Sequence, residues 1–149
     1  MLDNKKKFGV ATKAIHSGQE PDKSTGAIMV PIYASSTYVQ ESPGKHKGYE
    51  YSRTQNPTRE AYEKCIADLE SGEHGFAFAS GMSAADAILG LLKVGDEVIA
   101  IDDLYGGTRR LFEKVVSIKS ELTFKFIDYK EFTNLENYIT NKTKMIWVE

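Results

Sequence analysis

Apolar residues fall in blocks along this chain, and the period of the blocks changes in a regular order. Over residues 58–69 they recur at helical spacing, with Ala61, Tyr62, Cys65, Ile66 and Leu69 on one face. Asn56-Pro57 opens that helix, since proline suits the first helical position, and Ser71-Gly72 ends it. Residues 76–79 are a short apolar run broken by Ser80-Gly81, the pattern of a buried strand in a parallel sheet. Residues 82–92 are longer than a strand and rich in Ala and Leu, which predicts a helix. A loop at Lys93-Val94-Gly95-Asp96 leads to a β-branched strand over residues 97–102. A helix over about 108–117, a strand at 122–127, a helix around 135–139 and a strand at 144–149 follow. Four strands alternating with helices predict an open α/β sheet with right-handed crossovers. The last strand has no covering element after it, which would leave apolar surface bare, so the chain reads as the front part of a larger protein.

Residues 1–56 break this pattern. Helical periodicity is absent there, and Gly18, Pro21, Gly26, Pro31, Pro43, Gly44 and Gly48 punctuate the stretch. A long irregular segment inside a compact domain is unusual unless it is functional or packs on something else. Tyr33, Tyr38, Tyr49 and Tyr51 argue for packing, because disordered segments are poor in aromatics. An arm that embraces a neighbouring subunit satisfies both observations. The expected organisation is therefore an arm over 1–56 and the first, incomplete part of an α/β domain over 57–149.

Composition narrows the class of partner. The 149 residues carry a formal charge of −2, which gives no argument for nucleic acid or an anionic membrane surface. A single cysteine, Cys65, cannot form an internal disulfide and fits a reducing cytoplasm; its place on an apolar helix face marks it as a small core residue. Leu2-Asp3-Asn4-Lys5-Lys6-Lys7 has charge but no apolar run behind it, so it reads as a solvated terminus and not a signal peptide. No segment is long enough to span a bilayer. His16, His46 and His74 share no metal-ligand spacing, so no metal is expected.

Two places carry candidate chemistry. Strand, small-residue turn and helix at Ser80-Gly81-Met82 aim backbone N–H groups at an anion, and a helix N-terminus adds roughly half a positive charge. Ser80 can cap that helix, and Gly81 lets a ligand come close to the backbone. On this stretch alone an ordinary strand-to-helix turn is the simpler reading. The second place is Asp102-Asp103-Leu104-Tyr105-Gly106-Gly107-Thr108, a loop at the carboxyl end of a strand, where α/β sheets bind ligands.

Tyr51-Ser52-Arg53-x-x-Asn56-Pro57-Thr58, Ser80-Gly81-Met82 and Asp103-Leu104-Tyr105-Gly106-Gly107-Thr108 resemble, in order and spacing, the Cys/Met-metabolism family of pyridoxal phosphate enzymes. The family includes the cystathionine γ-lyases, γ-synthases and β-lyases and the methionine γ-lyases. The resemblance runs from Ala11-Thr12-Lys13-Ala14-Ile15-His16-Ser17-Gly18 to Trp147-Val148-Glu149 and is nearest to the cystathionine γ-lyases, with the γ-synthases close behind. It implies the N-terminal part of the large domain of fold type I, the aspartate aminotransferase-like fold, with pyridoxal 5′-phosphate as cofactor. It also implies a cytoplasmic homo-oligomer, a dimer of dimers, acting on a small amino-acid substrate.

The same resemblance assigns roles. Backbone groups at Ser80, Gly81 and Met82 hold the cofactor phosphate, and Tyr51 and Arg53 cross from a neighbouring subunit to the same phosphate. A guanidinium fork suits that contact, and the tyrosine adds a hydroxyl donor. Tyr105 matches the tyrosine that stacks on the pyridine ring and assists proton traffic, which makes it the catalytic candidate within this chain. Arg53, Tyr105, Arg110 and Glu50 would meet the substrate. Arg110 aligns with an arginine near the substrate entrance, with Arg109 beside it, and Glu50 with an acidic position facing the distal amino group. Methionine γ-lyases typically carry a cysteine where this chain has Gly107, which argues against that activity. The lysine that forms the Schiff base and the aspartate on the pyridine nitrogen are expected beyond Glu149. The implied reaction is α,γ-elimination of cystathionine to cysteine, 2-oxobutanoate and ammonia. The alternatives are a γ-synthase or β-lyase, or a non-catalytic truncated fragment that only oligomerises or binds phosphate. A Rossmann nucleotide binder is disfavoured, because Gly-x-Gly-x-x-Gly is missing from the first strand-to-helix turn.

Overall fold

The computed structural model describes residues 8–149. The lysine triplet Lys5, Lys6 and Lys7 lies outside the described residues. The chain forms two compact units, one ending at Ala77 and the other running Phe78–Glu149.

The first unit is built on helix α2 (Pro57–Leu69), with α1 (Val10–His16) packed against it and a small hairpin, β1 (Gln40–Ser42) with β2 (Lys45–His46), in between in sequence. α1 is a finding: two turns are too short to show a period, so the stretch reads as irregular until its contacts are seen. Lys13 Nζ donates to the Asp68 carbonyl (2.8 Å) and carboxylate (2.9 Å), and Ser17 donates to the same carboxylate. Gly18 follows at φ +74°, and a Cβ there would stand 2.2 Å from the Ala61 carbonyl oxygen, so the chain turns where only glycine lets the two backbones touch.

α2 begins as its sequence predicts. The Asn56 side chain accepts from the Thr58 and Arg59 amides, and Pro57 takes the first helical position. Its buried residues are Ala61 and Ala67, whereas Tyr62 (59% exposed) and Ile66 (38%) face outward. The face that α1 covers is narrower than the apolar stripe, and Cys65 sits half-buried with its thiol near the Lys13 and Ala14 carbonyls.

The second unit is a parallel three-stranded sheet in the order β4-β3-β5: β3 (Glu97–Ile101) in the centre, β4 (Thr123–Ile127) and β5 (Thr143–Trp147) at its edges. Every residue of β3 is buried. Helix α3 (Gly81–Leu89) precedes β3; α4 (Gly106–Leu111) follows it and continues through a π-helical turn (Phe112–Val116) into a last short turn (Ser117–Lys119). The core gathers Leu89, Ala100, Phe112, Val116 and Leu122. Phe112 is fully buried, stacked on Phe124 (4.5 Å between centroids) and edge-on to Trp147 (5.3 Å).

Three expectations are corrected. Residues 76–79 form no strand: the segment has no ladder partner among the described residues, and Phe76 and Phe78 are 78% and 49% exposed. A strand exists only through its neighbour's hydrogen bonds, so an apolar run by itself does not make one. The sheet of the described residues therefore has three strands where four were expected. The helix expected around 135–139 is instead a 3-10 segment, Tyr129–Asn137, capped by Asp128 and kinked at Asn134. None of its residues is buried, so no packed stripe favours a full α-helix there. α3 stops at Leu89, a turn earlier than expected, where Gly90 caps it.

Glu97 is the charged exception in the core, 6% exposed. Lys125 pairs with it at 2.9 Å, and Thr143 (2.6 Å) and Thr140 (3.1 Å) donate to its other oxygen. Burial pushes its carboxyl up, but the hydrogen bonds from Thr143, Lys125 and Thr140 together outweigh that and hold it below its ordinary 4.5. A depressed carboxyl stabilises the fold above its unfolded value, and that contribution is lost as pH falls through the folded value. Glu97→Ala is expected to cost about 2 kcal/mol at pH 7, less than for a fully buried pair because Lys125 keeps access to water. The difference from wild type should shrink as pH falls below the ordinary 4.5 and through the depressed folded value. Urea unfolding midpoints followed from pH 7 down through that range test this, and a pH-independent difference contradicts it.

Candidate functional site

The carboxyl end of the β3–β5 pair is where local structure collects candidate chemistry. Register decides this: Ala100 pairs with Trp147, so the loop that follows Ile101 lies beside Glu149. That loop turns at Leu104, whose amide reaches back to the Asp102 carbonyl (3.1 Å), and delivers Tyr105 to the start of α4. Tyr105 is 68% exposed.

Gly107 explains where the Tyr105 ring sits. A Cβ at Gly107 would stand 2.5 Å from Tyr105 Cε1 and 3.1 Å from Met82 Sδ. The ring therefore folds back over Gly107, on the same side as the Met82 thioether. The structure thus brings together Tyr105 and Met82, two residues that the sequence places in separate motifs.

Met82 lies in the first turn of α3. Ser80 caps this helix, its Oγ accepting from the Ser83 amide at 3.1 Å and lying 3.0 Å from Ser83 Oγ. The next amides, of Gly81 and Met82, have no acceptor among the described residues. A Cβ at Gly81 would meet nothing within 4 Å, so the approach to these amides is open. The helix has 9 residues, long enough to carry a useful dipole. Free amides, a hydroxyl and an open approach suit a phosphate or carboxylate.

Of the two adjacent arginines, Arg109 is committed to the fold. Its guanidinium lies 3.6 Å from the Phe126 ring centroid, pairs with Glu113 at 2.7 Å and reaches Asp102 at 3.9 Å. Arg110 is exposed and makes no ion pair or hydrogen bond among the described residues.

Tyr51, Arg53 and Glu50 belong to the first unit. The Arg53 guanidinium lies 5.0 Å above the Tyr51 ring, so these two side chains are also neighbours. The loop that holds them is tightly tied. Arg59 Nη1 and Nη2 donate to the Ser52 and Thr54 carbonyls (2.9 and 2.7 Å), and Asn56 Nδ2 to Ser52 Oγ and the Tyr33 carbonyl. Thr58 Oγ1 accepts from the Tyr33 amide and donates to the Pro31 carbonyl. Tyr49 donates to Glu60, which pushes its phenol up to about 12, with burial adding to the shift. Glu50 is half-buried, its backbone carbonyl taken by the Tyr38 amide. His16, His46 and His74 are exposed, and the described residues hold no cluster suited to a metal.

The sequence reading missed Glu149. Its Oε1 accepts from the Tyr105 amide and from Thr108 Oγ1, each at 3.0 Å, and its Oε2 accepts from Trp147 Nε1 at 2.9 Å. The available signal was positional: a carboxylate just past the carboxyl end of a parallel strand.

Gly107→Ala should leave stability within about 0.5 kcal/mol, because the atom in the way belongs to an exposed ring that can move. It should displace the Tyr105 ring from Met82, which a crystal structure of the variant shows directly. An unmoved ring would contradict this account of Gly107.

A family model described as "Cys/Met metabolism PLP-dependent enzyme" matches residues 11–149. The chain is 58% identical over 147 residues to a cystathionine beta-lyase of Coxiella burnetii, the match covering 99% of this chain and 38% of that protein. It is 48% identical over 143 residues to a cystathionine gamma-lyase of Dictyostelium discoideum, covering 95% of this chain and 37% of that one. Its fold superposes on the crystal structure of metB from Corynebacterium glutamicum with a TM-score of 0.89 at 41% identity, over 95% of this chain and 37% of the other. The chain thus spans less than two-fifths of the length of these proteins.

Proposed function

The chain belongs to the Cys/Met-metabolism family of PLP-dependent enzymes, and on that premise we propose that the whole protein is a carbon–sulfur lyase acting on cystathionine. The observation that carries this reading is the Tyr105 ring lying beside Met82 at the open amino end of α3. A flat aromatic face next to two free amides suits a group with an aromatic ring and a phosphate, which pyridoxal 5′-phosphate has. When bound, that cofactor supplies an electron sink that acidifies the hydrogen on the substrate's α-carbon.

Each residue then has a defined task. The Gly81 and Met82 amides and the Ser80 hydroxyl hold the phosphate, assisted by the dipole of α3. The Tyr105 ring fixes the plane of the cofactor by stacking, and its hydroxyl holds or moves a proton at the reacting carbons. Arg110, free of internal partners, meets a substrate carboxylate, while Arg109 stays locked on Glu113 and Phe126. Tyr51 and Arg53, on an arm over 1–56, reach the phosphate of a neighbouring subunit, with Arg53 also near the substrate and Glu50 facing its distal ammonium. Residues 57–149 begin the cofactor-binding domain. The whole assembly is a cytoplasmic homotetramer, a dimer of dimers. No described helix is long and apolar enough to cross a membrane.

The reaction proposed is α,γ-elimination: the bond between sulfur and the γ-carbon breaks, giving cysteine, 2-oxobutanoate and ammonia with uptake of one water. A second reading is α,β-elimination to homocysteine, pyruvate and ammonia, favoured by the 58% identity to a protein named cystathionine beta-lyase. Incubating the full-length protein with cystathionine and identifying the keto acid separates them. 2-Oxobutanoate supports the first and pyruvate the second. Neither product overturns the lyase reading.

Arg53→Ala in the full-length protein should weaken cofactor affinity by about tenfold or more, the worth of a charge-assisted contact to phosphate. Equilibrium dialysis against pyridoxal 5′-phosphate measures it, and unchanged affinity removes Arg53 from the phosphate site.

A further inference from the structure

We propose that Glu149 is a positioning residue for Tyr105: its carboxylate clasps the backbone at the start of α4 and so fixes the plane of the Tyr105 ring. This rests on the stacking role given to Tyr105 above. Helix α4 starts without a local cap. Tyr105 precedes its first turn, and no side chain of its own segment caps it. The Tyr105 amide is taken instead by Glu149, 44 residues away in sequence, from the end of β5.

The clasp transmits rigidity because its other contacts are anchored. Glu149 Oε1 also accepts from Thr108, which is 4% exposed, and Oε2 accepts from the indole of Trp147, whose ring abuts fully buried Phe112. Two of the three donors are therefore fixed by the core, and the third is the peptide of an exposed tyrosine. Both carboxylate oxygens are engaged by protein donors, so Glu149 acts through Tyr105 and not on substrate. With the peptide held, the ring has a defined place over Gly107 beside Met82. Without the clasp the peptide preceding α4 can rotate, and a ring that is 68% exposed has little else to hold it.

The test uses full-length protein carrying Glu149→Ala or Glu149→Gln, each alone and with Tyr105→Ala. Hydrogen exchange of the peptide containing Tyr105, in cofactor-free protein, should speed by about tenfold in Glu149→Ala. Glu149→Gln keeps one acceptor for Tyr105 but turns an N–H towards Trp147, so its change should be smaller. In protein loaded with pyridoxal 5′-phosphate, Glu149→Ala should lose about half or more of the visible circular dichroism band, which reports cofactor ring orientation. It should cause no further loss when Tyr105 is already alanine. Unchanged exchange in Glu149→Ala overturns the clasp, and a full additional loss in the Tyr105→Ala background overturns action through Tyr105. Failure of the stacking role is distinct: Tyr105→Ala would then leave the band intact while the exchange result still decides the clasp. Should Glu149→Ala not fold, Glu149→Gln carries the same readouts in the same directions.

Discussion

Strand β3 is buried along its whole length, and such a strand survives only if all its backbone groups are paired and all its side chains covered. β4 and β5 take its two edges, and Phe112 is fully buried in the cluster that includes Ala100. The polar residue of β3 itself is thereby driven to a strand end. Glu97 marks the amino end, where Lys125, Thr140 and Thr143 neutralise its burial. At the carboxyl end, the 102–108 loop and Glu149 emerge side by side, which makes that end the one free to bind.

Much of this frame was legible from residue order. Asn56-Pro57 started α2 where its capping chemistry required, and the β-branched run before Asp102 became the central strand. What could not be read was pairing. Residues 76–79 have the composition of a strand, but composition does not supply a neighbour. The 3-10 segment Tyr129–Asn137 failed as a helix for a related reason: its apolar residues are spaced for a face, but Phe132 and Leu135 are only half-buried and no residue of the segment is fully covered. α1 escaped notice because its stability comes from Lys13 and Ser17 on Asp68, contacts across more than 50 residues of sequence.

The candidate site divides along the same line. Ser80 as a cap and Tyr105 as a loop residue at a strand end follow from local patterns. That the Tyr105 ring reaches Met82 depends on a missing Cβ at Gly107, a contact between residues 23 apart in sequence that no local pattern encodes. The choice between Arg109 and Arg110 was likewise open in sequence. It is physical once Phe126 and Glu113 are seen to occupy Arg109.

The topology also has a history in time. β3 is synthesised before either strand that will cover it, and Thr143, which ends up against Glu97, comes 46 residues later. At about 5–20 residues per second, that separation is roughly 2–9 s of synthesis. Until β4 and β5 have both followed, the nascent chain carries Val98-Ile99-Ala100-Ile101 without its full pair of sheet neighbours, a segment of the kind that seeds aggregation. Asp96 and Glu97 stand on one side of it and Asp102 and Asp103 on the other, so the run is flanked by four negative charges. A carboxylate that must later be buried at the cost of desolvation is, earlier in the life of the chain, one of the charges that keeps it from joining the wrong partner.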